Sequence, residues 1–439
     1  MNYDEALEYI HSTKRYNAKL NLNRIESFLA ELGNPEKAMK YVHVAGTNGK
    51  GSTTAMTGSV LLKSGYKTGM FISPYFERFN ERIQLGGKPI SDAALAALTE
   101  KVKVYADGMG ERGLIHPSEF ELVAGMAFTF WRDEACDFVS LEVGLGGRLD
   151  ATNVIDPPEV AVITSISFDH MHLLGSTIAE ITYEKCGIIK RGSSVVCYCD
   201  QPPEAYEIIK RVCGERGAEF IFPDKNAAEI IDSGFYGSKI RYKGIETTVP
   251  LMGRHQVFNA LGVIEAGLAL KRRGYSVTEQ SISEGISETE WAGRLEVISK
   301  DPLCILDAAH NRDAVRALGD AADDLLRGRE LVAVMGMLAD KEYDLCIPQI
   351  ARRAATFIAV TPVSGRALPA GETAEIAREH CKDARTAGSI GEAVELAFKV
   401  AGKDKAILIC GSFYVIGEAK RVLRTLIDTV NDKENMVAQ

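Results

Sequence analysis

The stretch HVAGTNGKGSTTAM (43–56) decides how this chain reads. An apolar run ends at Ala45, a loop of Gly46, Thr47, Asn48, Gly49, Lys50, Gly51 and Ser52 follows, and helical spacing then begins. Phosphate binding needs these residue types in this order. Glycines let backbone N–H groups approach an anion, a helix N-terminus adds positive potential, Lys50 can reach terminal phosphates, and the Ser52 hydroxyl can ligate magnesium. The loop is shorter than the common G-x-x-x-x-G-K-[ST] form. An ordinary glycine turn, however, would not require Lys, Gly and Ser in succession where a strand meets a helix.

Outward from this loop, short apolar runs alternate with longer helical stretches. KYVHVAG (40–46), KTGMFIS (67–73), DFVSLEVG (137–144) and VAVITSIS (160–167) read as strands. Residues 51–62, SDAALAALTEKVKVYADG (91–108) and SEFELVAGMAFTFWRD (118–133) carry helical spacing. That order predicts an α/β fold: a P-loop, mononucleotide-binding parallel sheet with helices on both faces. From about Asp224 to Pro250 the texture becomes short polar–apolar alternation, which predicts a small antiparallel subsheet. After two helical stretches, βα alternation resumes at PLCILDAAH (302–310), ELVAVMGM (330–337), TFIAVTP (356–362) and KAILICGS (405–412). A second, Rossmann-like α/β domain is expected, with domains 1–291 and 292–439 and a boundary between Glu290 and Arg294.

The 439 residues, 46% apolar and 25% charged, exceed one small module and exclude a disordered or fibrous chain. A net charge of −9 argues against a nucleic-acid or anionic-membrane surface. No uninterrupted run of 18 apolar residues occurs and the first residues lack an apolar signal core, so a cytoplasmic protein is expected. Nine scattered cysteines without a CxxC pair read as structural thiols in a reducing compartment, with Cys197 and Cys199 alternating along a strand VVCYC.

Ligands in open α/β sheets gather at the carboxyl edge, where Ser73, Glu142 and His170 fall. Glu142 beside VGLGGRLDATN (143–153) suits a metal-bound carboxylate, but could equally be a solvated or capping group. His170 and His172 form an H-x-H pair that is open between hydrogen-bonded structure and ligation. Lys185, in the helical stretch AEITYEKCGIIK (179–190), reads as an ordinary surface lysine. Asp307 and His310 in CILDAAHN and Ser412 in AILICGS are either a second site or polar loop groups. Arg82 and Arg148 are possible local cations for an anionic substrate or surface ion-pair residues.

Ordered motifs along nearly the whole chain carry a family resemblance. They are HVAGTNGKGST, ISP with FNERI (79–83), SEFELVAGMAF (118–128), LEVGLGGRLDATN (141–153), SFDHMHLLG (167–175), EKCGIIK (184–190), GRHQVFNA (253–260), WAGRLE (291–296), LDAAHN (306–311) and CGSFYVIGE (410–418). Together they resemble the folylpolyglutamate synthase and dihydrofolate synthase family, a branch of the Mur ligases. The resemblance implies an ATP-dependent, ADP-forming amide ligase joining L-glutamate to a folate or dihydropteroate carboxylate, acting as a monomer. It implies that residues 46–52 hold the triphosphate, that Ser52, Ser73, Glu142 and His170 ligate Mg2+, and that Lys185 is carbamylated. Asn259, Arg294 and Asp307 match ATP-contacting positions, which implies a nucleotide cleft between domains. Phe120 and Glu121 match a pterin-contacting pair, Asp150 falls with them on the substrate side, and His310 and Ser412 match positions on the glutamate side.

The implied chemistry is an acyl phosphate followed by amine attack, with Lys50 and magnesium offsetting charge as two anions meet. Positioning dominates, so no Ser/His/Asp triad is needed. Tyr75 stands where the family often has His, and LNLNRI (20–25) replaces a Gly-Leu-Glu-Arg-like segment, which leaves the choice between dihydropteroate and reduced folate open. Two alternatives compete. A Mur ligase acting on a UDP-linked precursor would need a separate N-terminal domain, for which the residues before Val42 are too few. A P-loop switch that only hydrolyses ATP would leave the second α/β domain and its DAAHN edge without a task.

Overall fold

The computed structural model describes residues 1–13, 21–326 and 328–437, with side chains described as far as residue 425. Leu20 of LNLNRI lies outside the described residues. The chain divides into two compact units, residues 1–232, 239–250 and 256–290 against residues 233–238, 251–255 and 291–439. Two short segments thus leave the first stretch of chain. The reason is local packing: Met252 belongs to the second unit's core, Gly253 abuts Leu295, and Lys300 Nζ donates to Tyr236 Oη at 3.0 Å.

The first unit is built on β1 (Lys40–Ala45), β2 (Thr68–Phe71), β3 (Ile83–Leu85), β4 (Lys88–Pro89), β5 (Phe138–Glu142), β6 (Val160–Ile163), β7 (Ser194–Cys197) and β8 (Glu219–Ile221). These pair in the order β4-β3-β2-β5-β1-β6-β7-β8, parallel except for the antiparallel β3 and β4 edge. The connections put β1 at the centre, between β5 and β6, where strand order reverses and a ligand crevice opens at the carboxyl ends. Register sets Val44 beside Glu142 and Ala45 beside Ile163, so the loop after Ala45 emerges level with the end of β5.

The helix Lys50–Lys63 that follows is buried almost all round, from Gly51 through Gly58 and again at Val60 and Leu61. It is buried on nearly every face because it is sandwiched, and small Ser and Thr side chains share that burial with its apolar residues. The sheet lies on one side, and on the other the helix Glu279–Ser287 comes so close that a Cβ on Gly285 would meet the Val60 backbone at 2.5 Å.

A small three-stranded sheet holds β9 (Glu229–Gly234), β10 (Gly237–Tyr242) and β11 (Ile245–Val249) in the order β11-β10-β9. Two-residue connections make it antiparallel, and Lys243 with φ 50° and Gly244 with φ 81° supply the left-handed pair that such a hairpin turn takes.

The second unit's sheet has β12 (Glu296–Lys300), β13 (Leu303–Leu306), β14 (Leu331–Met335), β15 (Ala354–Ala359), β16 (Ala384–Thr386) and β17 (Ala406–Cys410) in the order β12-β13-β17-β14-β15-β16. Only β12 runs antiparallel to its neighbour.

All nine cysteines are buried, free thiols. The strand expected through VVCYC ends at Cys197, so Cys199 lies beyond it. Among the described residues no helix is long and apolar enough to cross a membrane.

Candidate functional site

The loop after β1 has a backbone that only glycine can supply at two points. Gly46 sits at φ 153°, and a Cβ there would stand 1.8 Å from Thr164 Oγ1; Gly49 sits at φ 87°, and a Cβ there would stand 2.6 Å from Asn259 Oδ1. The loop is pinned to the segment after β6. The Thr47 and Asn48 N–H groups both donate to Ser165 O, at 2.8 and 3.3 Å, and Thr47 Oγ1 donates to Ser167 O at 3.0 Å. Lys50 Nζ folds back to donate to Gly46 O at 3.2 Å and Thr47 O at 3.1 Å. Ser52 is buried, and its Oγ accepts from Gln256 Nε2 at 3.2 Å. Gln256 in turn accepts from Asn259 Nδ2 at 3.0 Å, so one helix face holds both the hydroxyl and the wall of Gly49.

Lys185, read from sequence alone as a surface residue, is instead only 4% exposed and closes the helix Ile178–Lys185. Its Nζ donates to the same Gly46 O at 2.7 Å. Burial and then the Lys50 charge pull its pKa down to about 7, against the opposing pull of Asp169 and Asp150. At neutral pH this amine is therefore often uncharged.

Glu142 is buried at the end of β5, and its Oε2 accepts from the Ser73 N–H at 3.1 Å, which brings Ser73 and Glu142 together. His170 is partly exposed at φ 50° ahead of the helix Met171–Leu174; its N–H donates to Asp169 Oδ1 at 2.9 Å and its ring stands 6.3 Å from that of His172. Among the described residues no three His, Cys, Asp or Glu side chains converge.

The residues read as substrate-facing divide into two kinds. Phe120 stands over the β5 loop, where a Cβ on Gly144 would meet its Cζ at 2.4 Å, and its ring is 5.8 Å from that of Phe71. The Arg82 guanidinium lies 5.6 Å from the Tyr75 ring and 5.4 Å from the Phe79 ring. Glu121, by contrast, is an internal anchor: its Oε2 accepts from Ser118 N at 2.8 Å, Ser118 Oγ at 2.7 Å and Arg24 Nε. Asp150 is also an anchor, accepting from Leu145 N at 2.7 Å, Thr152 N at 3.0 Å and Thr152 Oγ1 at 2.6 Å. Arg148 is engaged by Glu184 at 2.8 Å.

In the second unit, a polar cluster forms at the carboxyl ends of β13 and β17. Asp307 is buried and accepts from Leu295 N at 2.8 Å and Ala309 N at 2.7 Å; burial raises its pKa, and the Arg294 charge opposes that. His310 Nδ1 lies 2.8 Å from Ala308 O, and its ring is 6.0 Å from that of Phe413, over which the Arg294 guanidinium stacks at 5.1 Å. Ser412 Oγ accepts from Val415 N at 3.2 Å.

Sequence reading missed Thr164, Asp169 and Gln256. Asp169 adjoins His170 and Gln256 lies three residues before Asn259, one turn along the same helix, so a signal was present in both cases. Thr164 gave none, because only the tertiary fold sets it against Gly46.

Comparison with known proteins places these features in a family. Residues 44–267 match the Mur ligase middle domain, and residues 293–413 match the Mur ligase glutamate ligase domain. The dihydrofolate synthase/folylpolyglutamate synthase of Bacillus subtilis is 33% identical over 435 residues, covering 96% of this chain and 99% of that protein. A Mycobacterium tuberculosis folylpolyglutamate synthase complexed with ADP superposes with a TM-score of 0.87 at 28% identity, covering 96% of this chain and 98% of that one. Escherichia coli FolC in complex with DHPP and ADP gives a TM-score of 0.85 at 28% identity over 97% of this chain and 98% of that one. With both sequence and fold shared over 96% of its length, the chain belongs to the folylpolyglutamate synthase/dihydrofolate synthase family of Mur ligases.

Proposed function

We propose that the chain is an ATP-dependent, ADP-forming ligase that adds L-glutamate to the carboxylate of dihydropteroate, of a reduced folate, or of both. The observation that carries this reading is the loop after β1, a glycine cradle on which two lysines converge at Gly46 O, in a chain related over its whole length to such ligases. The loop N–H groups and Lys50 bind the triphosphate. An acceptor carboxylate oxygen attacks the γ-phosphorus, the bond to the bridging oxygen breaks, ADP leaves and an acyl phosphate forms. The glutamate amine then attacks the activated carbonyl, loses its proton, and inorganic phosphate departs to leave an amide. Lys50, set beside the cradle, offsets the charge that builds as two anions approach. Asn259, Arg294 and Asp307 are assigned to the nucleotide, and His310 and Ser412 to glutamate.

The residues present fit magnesium. Ser52, Ser73 and Glu142 offer oxygen donors of the kind it takes, with His170 as a further ligand. Bound there, magnesium supplies charge neutralisation at the phosphates. Lys185 fits that set only as a carbamate, since an ammonium would repel a cation. Its lowered pKa supports the modification: a neutral amine adds carbon dioxide and releases one proton, giving an anionic oxygen donor.

The test is an assay with ATP, labelled glutamate and either dihydropteroate or tetrahydrofolate, using acceptor labelled with heavy oxygen in the carboxylate. Amide product with heavy oxygen in the released phosphate is expected. Phosphate release without that label, or without amide, overturns the reading in favour of simple hydrolysis.

A further inference from the structure

We propose that His43 is a positioning residue for the ligation: acting through Thr152, it fixes the Asp150 carboxylate that holds the turn at residues 144–150 against the helix end at Lys185. This rests on the reading of Lys185 as an active-site group.

Proton accounting gives the chain its direction. Asp150 accepts at Oδ1 from Thr152 N and Oγ1 and at Oδ2 from Leu145 N. Burial raises the Asp150 pKa, and the hydrogen bonds from Thr152 and from the Leu145 N–H oppose that; as the carboxylate, Asp150 only accepts, so the Thr152 hydroxyl spends its hydrogen on it. The 2.9 Å contact between His43 Nε2 and Thr152 Oγ1 is then made with the hydrogen on Nε2. Nδ1 is left bare, and it is buried without a hydrogen-bond partner, an arrangement that a neutral imidazole tolerates and an imidazolium does not. Burial, reinforced by the Lys190 charge, pushes His43 down to about 3, so it stays neutral.

The chain links the two segments whose relative position matters. His43 lies on β1, three residues before Gly46, in register with Leu141 and Ala161. The turn held by Asp150 presses on the lysine. A Cβ on Gly147 would stand 2.8 Å from Lys185 O, a Cβ on Gly187 would stand 2.1 Å from Arg148 Cα, and Arg148 N donates to Glu184 O at 2.7 Å. With no slack in that contact, a shift of Asp150 passes to the backbone of residues 184–187 and so to Lys185 Nζ on Gly46 O.

Nitrogen NMR of the wild-type protein at pH 7 tests the direction without any variant: His43 protonated on Nε2 alone is expected, and an Nδ1–H tautomer or an imidazolium overturns the proposal. Kinetics test the role. His43→Leu is expected to lower kcat on the order of a hundredfold, as a small misplacement of reacting groups does, with the KM for ATP nearly unchanged. His43→Gln, whose carboxamide N–H can reach Thr152 Oγ1, is expected to restore most of that loss. Thr129→Val, which deletes a buried hydroxyl bonded to Gly125 O one turn back in the helix Glu119–Asp133, controls for general destabilisation and should leave kcat alone. Folded His43→Leu with wild-type kcat, or Leu and Gln variants that fall equally, overturns the proposal. Absence of amide product from the wild type overturns the ligase reading instead, while the tautomer result stands by itself.

Discussion

Lys50 and Lys185 reach the same carbonyl, Gly46 O, from opposite helix termini. Lys50 opens the helix Lys50–Lys63, where the macrodipole opposes a cation by about 0.3–1 kcal/mol and an arriving anion reverses the sign. Lys185 closes the helix Ile178–Lys185, where the dipole favours a cation, yet burial and its neighbour bring it to about 7. In the proposed ligation these two identical side chains on one acceptor would serve different chemistry: a charge placed for an anion, and an amine kept near neutrality so that it can react.

Removing Lys50 should break this contrast most severely. Lys50→Ala is expected to lower kcat/KM for ATP on the order of a thousandfold while the thermal midpoint barely moves. Because the Lys50 charge lowers the Lys185 pKa, the same variant should raise that pKa, measured by amine reactivity against pH. Near-wild-type turnover would remove Lys50 from the phosphate site.

Next comes the reactive partner. Wild-type enzyme stripped of carbon dioxide should lose activity and regain it with bicarbonate, more fully at pH 8 than at pH 6, because below about 7 the Lys185 amine takes a proton and cannot add carbon dioxide. Lys185→Ala should be impaired about a hundredfold and ignore bicarbonate. Active protein whose mass shows a bare amine at Lys185 would count against the carbamate.

The acceptor they share is set by Gly46. Gly46→Ala drives a Cβ into Thr164 Oγ1 and should cost about 3 kcal/mol in denaturant unfolding, part of which Thr164→Ala restores. The smallest effect belongs to the exposed pair beside Lys185: Arg148→Ala should cost about 0.5 kcal/mol, and a much larger loss would mean that Arg148 does more than pair with Glu184.

The loop, the main strands and the second sheet could be read in advance because their signals are local: apolar runs of strand length, and a glycine, lysine and serine in fixed succession. The readings that failed depended on neighbours. Lys185 looked like a surface lysine, and nothing around it in sequence announces that Gly46, distant along the chain, is its partner. The strand through VVCYC seemed to continue because alternation suggested one buried face, but Cys197, Tyr198 and Cys199 are all buried, so alternation carried no information there. The edge strands β4, β12 and β16 take their form from pairing rather than composition. The His43–Thr152 link spans 109 residues and the Gln256–Ser52 link spans 204, distances over which no spacing rule operates.

The burial of every native thiol has a practical reach. Maleimide dyes and spin labels attack exposed thiolates, so a cysteine introduced on each unit's surface would be labelled against a silent background. Spectroscopic rulers spanning the two units could then follow the response to nucleotide, acceptor and glutamate in turn, in an enzyme whose own cysteines need not be removed.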